Sequence, residues 1–237
     1  MKFSYSLSHI DSSSVRSLDD ISKMLFEHDR DSFVFSIGTA ELNVAIGKEM
    51  GLSDSELFLL FQCGIYHDTG KLGMEYDFIN FPDMFTSEMF EEMKKHTVGG
   101  AEILEKANAH QRIIETAKFH HCNYDGKGYV HQLKGEDIPL YARITRVSDS
   151  VDAYMSKRAY KKGGPAKEVL NDLKQFEGTW YDPTILSYFE KVHESIMKMC
   201  VLYGIDQPSH DLYMYFLHIN YPTNFKKREL EDILYTL

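Results

Sequence analysis

Residues 53–71 read SDSELFLLFQCGIYHDTGK. Ser53 and Glu56 stand at the spacing of a capping box, in which two side chains satisfy the free amides of a helix start. The spacing predicts a helix over 54–67, apolar almost without interruption up to Tyr66 and stopped by Thr69-Gly70. His67-Asp68 therefore falls at a helix end. Consecutive helical residues point about 100° apart, so a neighbouring imidazole and carboxylate can face one cavity only where the backbone turns. There each can give one ligand to a metal. Lys71, three residues on, can reach an anion bound to that metal.

Working outward, helix signals dominate. Residues 15–28 carry Leu18, Ile21, Leu25 and Phe26 near helical spacing. A second helix is expected over about 32–50, with Gly51 as its C-terminal stop. Pro82 and Thr86 precede a helix running to about His96, with a kink before a continuation over 98–107. Residues 111–122 read as a helix ending in the doublet His120-His121. The stretch 123–137 holds Gly126, Gly128 and Gly135 and reads as a loop. Pro139 opens a long helix through about Ser156. Gly163-Gly164-Pro165 and Asp182-Pro183 each start another. The tail from Ile205 is aromatic and is expected to end in a short helix from about Asn224. No alternating strand series, repeat or low-complexity linker stands out. The class is all-α: one domain over 29–204, an N-terminal helical extension (1–28) and a C-terminal extension packed on the domain (205–237).

The chain has 237 residues, of which 43% are hydrophobic, and a formal charge of −10. An acidic surface argues against general binding to a nucleic-acid backbone, so no direct DNA binding is expected. A small anionic ligand stays compatible, because a local cation overcomes the global field at close range. Charged residues interrupt every apolar stretch, and the N-terminus lacks a signal-peptide core, so no membrane association is expected. Cys63, Cys122 and Cys200 are widely spaced and odd in number, which suits a reducing compartment.

His96, the doublet His120-His121 and Asp149, inside the helix opened by Pro139, extend the set begun by His67-Asp68. Four helices would deliver six ligands to one centre. Mixed histidine and carboxylate ligation suits iron, manganese or zinc. A shared carboxylate can bridge two cations about 3.5–4 Å apart, which acidifies a bridging water and steadies phosphoryl oxygens. The reaction class is hydrolysis of a phosphate ester. Each piece alone has an ordinary explanation: a histidine at a helix C-terminus, a surface histidine, a solvated helix carboxylate. The ordered set is what carries weight.

That set resembles the HD superfamily of metal-dependent phosphohydrolases, and within it the HD-GYP phosphodiesterases. The matching segments are HDTGK (67–71), HTVGGAEIL (96–104), HHCNYDGKGY (120–129), RITRVSDSVDAYMSKRAYKK (143–162) and AELNVAIGKEMGLS (40–53). The resemblance covers about residues 29–190. It implies an HD-domain helical bundle in a cytoplasmic bacterial signalling protein. It also implies hydrolysis of a cyclic dinucleotide, usually cyclic di-GMP, to linear pGpG or GMP. The implied cofactor is a pair of divalent transition metals, iron or manganese first, with zinc, nickel or magnesium as other candidates.

By position, Asp68 would bridge the metals. His96, His120 and His121 would hold one cation, and His67 and Asp149 the other. Lys71 would touch the scissile phosphate. Tyr129, Arg158 and Lys161 match positions that contact the ligand's phosphates or bases. Asp152 matches a carboxylate that orients a ligand or the attacking water.

Two departures stand out. Phe35 occupies the place of a family histidine one helix earlier, and phenylalanine cannot ligate a metal. Asp31, one turn before it, is an acidic candidate to compensate. The signature itself reads Gly128-Tyr129-Val130 in place of Gly-Tyr-Pro, and Cys122 stands where the family favours glutamate. Two readings follow: an active phosphodiesterase with one weakly held metal, or a catalytically impaired member that binds metal and nucleotide and signals through protein partners. Another HD-type phosphohydrolase, acting on a small phosphoester, is a third. Residues 1–28 and 205–237 are candidates for homodimer formation.

Overall fold

A computed structural model describes residues 3–8, 10, 15–129, 133–157 and 162–223. Among these described residues ten α-helices follow in order: α1 (Leu18–His28), α2 (Arg30–Glu49), α3 (Asp54–Tyr66), α4 (Tyr76–Ile79), α5 (Ser87–Lys106), α6 (Gln111–Phe119), α7 (Leu140–Met155), α8 (Val169–Lys174), α9 (Pro183–Leu202) and α10 (His210–Asn220). A 3-10 turn over Thr69–Gly73 links α3 to α4. Among the described residues the only bridge pairing is an isolated one between Glu177 and Tyr181. The all-α reading holds.

The helix ends are set by local side chains. The Ser17 hydroxyl accepts from the Asp20 amide at 3.2 Å and starts α1. Asp29 leaves the helical region, ends α1 and caps α2, accepting from the Ser32 hydroxyl at 2.7 Å. Gly51, at φ +77°, closes α2, a conformation costly for residues with a Cβ. Glu56 accepts from the Ser53 amide at 3.0 Å and the Ser53 hydroxyl at 2.7 Å, the box expected at the head of α3.

From Gly38 to Gly47 all but one residue of α2 is buried, and this helix packs against α1, α3, α7, α9 and α10. Its contact with α3 is unusually close. A Cβ on Gly64 would stand 2.4 Å from the Ala40 Cα, so the crossing requires glycine. Asn43 is buried there, and its amide donates to Thr145 Oγ1 at 2.9 Å and to the Leu60 carbonyl at 3.2 Å, tying α2 to α3 and α7. The main hydrophobic core runs from Ile21 on α1 through Leu42, Leu60, Ile144 and Phe189 to Tyr213 on α10. Side chains at these helical intervals account for the burial that holds the bundle.

One expectation needs correction. No kink divides 87–106: α5 runs unbroken through His96-Thr97-Val98. Gly99 and Gly100 serve close packing, since the Tyr5 ring fills the space beside Gly99, and Gly100 lies against Gly70. The C-terminal aromatic stretch is itself a helix, α10, capped by Ser209, with Tyr213, Phe216 and Leu217 buried. The short helix expected from about Asn224 lies outside the described residues. No helix among the described residues is long and apolar enough to cross a membrane.

Candidate metal centre

Four segments meet at one point. His67 is the C-cap of α3 and Asp68 begins the 3-10 turn. His96 lies in α5, His120 is the C-cap of α6 with His121 next to it, and Asp149 sits in α7. The turn carrying Asp68 is pressed onto α5, where a Cβ on Gly70 would stand 1.8 Å from the His96 carbonyl oxygen.

The imidazoles are oriented by backbone carbonyls three residues earlier. His67 Nδ1 lies 2.7 Å from Gly64 O, His96 Nδ1 2.6 Å from Met93 O, and His120 Nδ1 2.9 Å from Ala117 O. A carbonyl oxygen only accepts, so each Nδ1 carries a hydrogen, and the neutral rings of His96 and His120 present a lone pair at Nε2. Those Nε2 atoms converge on Asp68. His96 Nε2 is 3.3 Å and His120 Nε2 is 3.8 Å from Asp68 Oδ1, and the two nitrogens are 3.3 Å apart. His67 Nε2 is 3.3 Å from Asp68 Oδ2 and 3.8 Å from Asp149 Oδ1.

Lone pairs facing one another at such distances repel unless a positive charge lies between them. An extra proton is disfavoured at His96 and His120. Burial, then neighbouring histidines and cations, pull both below the usual imidazole range, His120 to about 3. Ligand atoms of Asp68, His96, His120 and His121 lie within 4.8 Å of one another. The donor set therefore fits a divalent cation with nitrogen and oxygen preferences. On the other side, burial lowers the His67 pKa, but the Asp68 and Asp149 carboxylates win and hold it near 10. Burial works against the charge on Asp68, yet Lys71 and His67 keep it well below the ordinary carboxylate range.

Around the centre is a cavity of about 660 Å³. Lys71, whose Nζ is 2.6 Å from Asp68 Oδ2, lines it. Tyr129 also lines it, its ring against His121 at 4.7 Å between centroids and Phe90 at 5.6 Å. Burial raises the Tyr129 pKa, so the phenol keeps its proton at neutral pH. Phe35 and Asp31 stand together in the wall, with Phe85 and Met93 also contributing.

Asp152 is not brought to the cavity wall. It is buried one turn beyond Asp149, its Oδ1 3.0 Å from His210 Nε2 on α10 and its Oδ2 3.3 Å from the Ser156 hydroxyl. Arg158, Lys161 and Val130 lie outside the described residues. Sequence reasoning missed Arg146, which lines the cavity three residues before Asp149 on the same face of α7. That i, i+3 spacing is the signal that could have found it.

The family model for the HD domain matches residues 15–185. A cyclic di-GMP phosphodiesterase of Thermotoga maritima is 35% identical over 157 residues, 65% of this chain and 43% of that protein. A 3'3'-cGAMP-specific phosphodiesterase of Vibrio cholerae is 31% identical over 140 residues, 57% of this chain and 26% of that protein. The chain thus spans less than half the length of these relatives. The crystal structure of a cyclic GMP-AMP-specific phosphodiesterase of V. cholerae shares the fold, with a TM-score of 0.59 at 18% identity, over 94% of this chain and 57% of the other. The family match takes in most of the chain and all six converging side chains: the protein belongs to the HD domain family.

Proposed function

We propose that this chain hydrolyses a phosphodiester bond of a cyclic dinucleotide, cyclic di-GMP first among them, to linear pGpG or to GMP. The observation that carries the reading is the pair His96 Nε2 and His120 Nε2, 3.3 Å apart over Asp68, with both lone pairs turned inward. The relatives named as cyclic di-GMP and cGAMP phosphodiesterases support it. So does a cavity whose volume lies within the range of about 300–1,000 Å³ that suits small ligands.

His96, His120, His121 and Asp68 would hold one divalent cation, and His67, Asp149 and Asp68 a second, with iron or manganese the best match to the donors. Such a pair, when bound, supplies a Lewis acid for phosphoryl oxygens and an acidified water. The chain's own groups do the rest. Asp68, kept ionised, is shared between both halves of the centre. Lys71 sits beside it and offers its ammonium to a phosphate oxygen as charge develops. Tyr129 retains its proton and can donate it in a hydrogen bond to the substrate. Phe35, Phe85 and Phe90 form an apolar wall that excludes water and offers flat faces to purine rings.

The test is turnover. Protein loaded anaerobically with manganese or iron should convert cyclic di-GMP to pGpG, read by chromatography, and Asp68→Ala should abolish it. Lys71→Ala should lower kcat by about 10²–10³. Loaded protein that gives no linear product from cyclic di-GMP or cyclic GMP-AMP overturns the reading.

One observation favours a second reading. Phe35 stands in the cavity wall where the family resemblance calls for a histidine. A protein impaired in this way would bind metal and nucleotide and signal through partner proteins. Nucleotide binding without turnover, with turnover gained in Phe35→His, would decide for it.

A further inference from the structure

Two arginines stand one turn apart on α7 with different fates. Arg143 pairs with the buried carboxylate of Asp182. Arg146 has no ion pair to a carboxylate among the described residues. Its Nη1 meets His121 Nδ1 at 3.3 Å and its Nη2 meets Asn123 Oδ1 at 3.2 Å, both on uncharged groups. Its Nε is buried and lacks any hydrogen-bond partner among the described residues. A guanidinium only donates, so it leaves donors over beyond the bond to Asn123, the more so when the lone pair of His121 goes to a metal.

The side chain is nonetheless held firmly. Its guanidinium carbon lies 5.5 Å from the Trp180 ring centroid and 5.7 Å from that of Tyr181. Trp180 stacks in turn on Phe176 at 4.2 Å. The Trp180 and Thr179 carbonyls accept from the Tyr124 and Asp125 amides at 3.2 and 2.8 Å, which ties this aromatic turn to the loop leading to Tyr129. A planar cation clamped in a cavity wall with no anion beside it is the arrangement that recognises a phosphate. The position selects which phosphate. Nη1 touches His121, whose ligand atom is within 4.8 Å of those of Asp68, His96 and His120. The guanidinium therefore stands beside one of the candidate ligands, on the edge of the metal centre.

We propose that Arg146 is a second cationic anchor, beside Lys71, for an oxygen of the scissile phosphate. The assignment rests on the phosphodiesterase reading above. Arg146 would act on the reacting group directly, and Trp180 and Tyr181 would position it.

The experiment uses the full chain loaded with manganese. Arg146→Ala and Arg146→Lys are compared with wild type for metal content, thermal midpoint, cyclic di-GMP turnover and binding of inorganic phosphate by calorimetry. Metal content and midpoint are expected to hold. In Arg146→Ala, kcat should fall about 10²–10³-fold, phosphate affinity should fall about tenfold, and millimolar guanidinium should restore part of the turnover where equal sodium chloride does not. Arg146→Lys should fall between, because a lysine keeps the charge and loses the fork. Unchanged turnover and phosphate affinity in both variants overturn the proposal. So does a loss that tracks metal content and midpoint without guanidinium rescue, which marks a structural role. If Arg146→Ala does not fold, Arg146→Lys decides by the same measures. Wild type that hydrolyses nothing defeats the phosphodiesterase reading alone, and phosphate affinity then decides on Arg146.

Discussion

The carbonyl oxygen of Gly64 and Nδ1 of His67 are 2.7 Å apart, at the place where α3 crosses α2 at Ala40. The residue that permits the helix crossing also fixes the imidazole. Gly64→Ala would set a methyl against Ala40 and push the two helices apart. Overpacking of this kind costs about 1–3 kcal/mol, a fall of several degrees in Tm. Because His67 turns with the helix, metal affinity should fall as well. Thermal unfolding and metal titration of the variant check both.

Facing lone pairs predict how the protein answers to a cation. Manganese or iron should raise Tm, by roughly 2.7 kcal/mol of stability at a free metal concentration 100 times Kd, and a chelator should reverse it. His120→Ala should lose this response and most bound metal. Scanning fluorimetry paired with elemental analysis reads all of this. A His120→Ala protein whose Tm still rises with metal as wild type's does would speak against a cation held at this centre.

Phe35→His tests the missing donor. An imidazole there, beside Asp31 in the same wall, should raise affinity for the more weakly held cation about tenfold or more, roughly 1.4 kcal/mol. Metal per chain should rise at limiting metal, and kcat with it if the centre is active. An unchanged stoichiometry would show that Phe35 is too far from the cations to matter.

Two histidines where α9 and α10 pack give stability a pH dependence of opposing signs. Burial pulls the His193 pKa down to about 4, against the pull of Glu194 and Glu190. The unfolded chain, titrating at about 6.5, takes up that proton first. Stability is therefore lost as pH falls from about 6.5 through about 4, by up to about 3 kcal/mol from this site. The hydrogen bond to Asp152 raises the pKa of His210. Its contribution is present below the unfolded value and is lost as pH rises through the folded one. His193→Phe should flatten the acid limb and His210→Gln the neutral-to-alkaline limb. Denaturant titrations from pH 4 to 9 would show whether each limb responds to its own substitution.

What could be read from the chain follows from distance. Ser53 with Glu56, Thr69-Gly70 and Gly51 act on their near neighbours, so the limits of α2 and α3, and the placing of His67-Asp68 at a helix end, were open to a reading of sequence alone. The kink expected after His96 is absent because the packing of α5 is set by remote partners, to which Gly99-Gly100 are fitted. The pair makes room for Tyr5 and for Gly70, partners 94 and 30 residues away. Asp152 was assigned by position along the chain, whereas its contact is His210, 58 residues on. The i, i+3 spacing to Asp149 marks Arg146 as a cavity residue, but its clamp is remote: Trp180 and Tyr181 belong to a turn that no local pattern connects with α7.

A helix leaves its last four carbonyls without partners of its own. Two of the three atoms that aim the imidazoles, on Gly64 and Ala117, are such leftovers at the ends of α3 and α6. The protein thus builds its jig from acceptors that every helix terminus already has, with no dedicated side chain. Extending either helix by one more turn would hand that oxygen to a backbone amide and set the ring adrift, even with every histidine still in place.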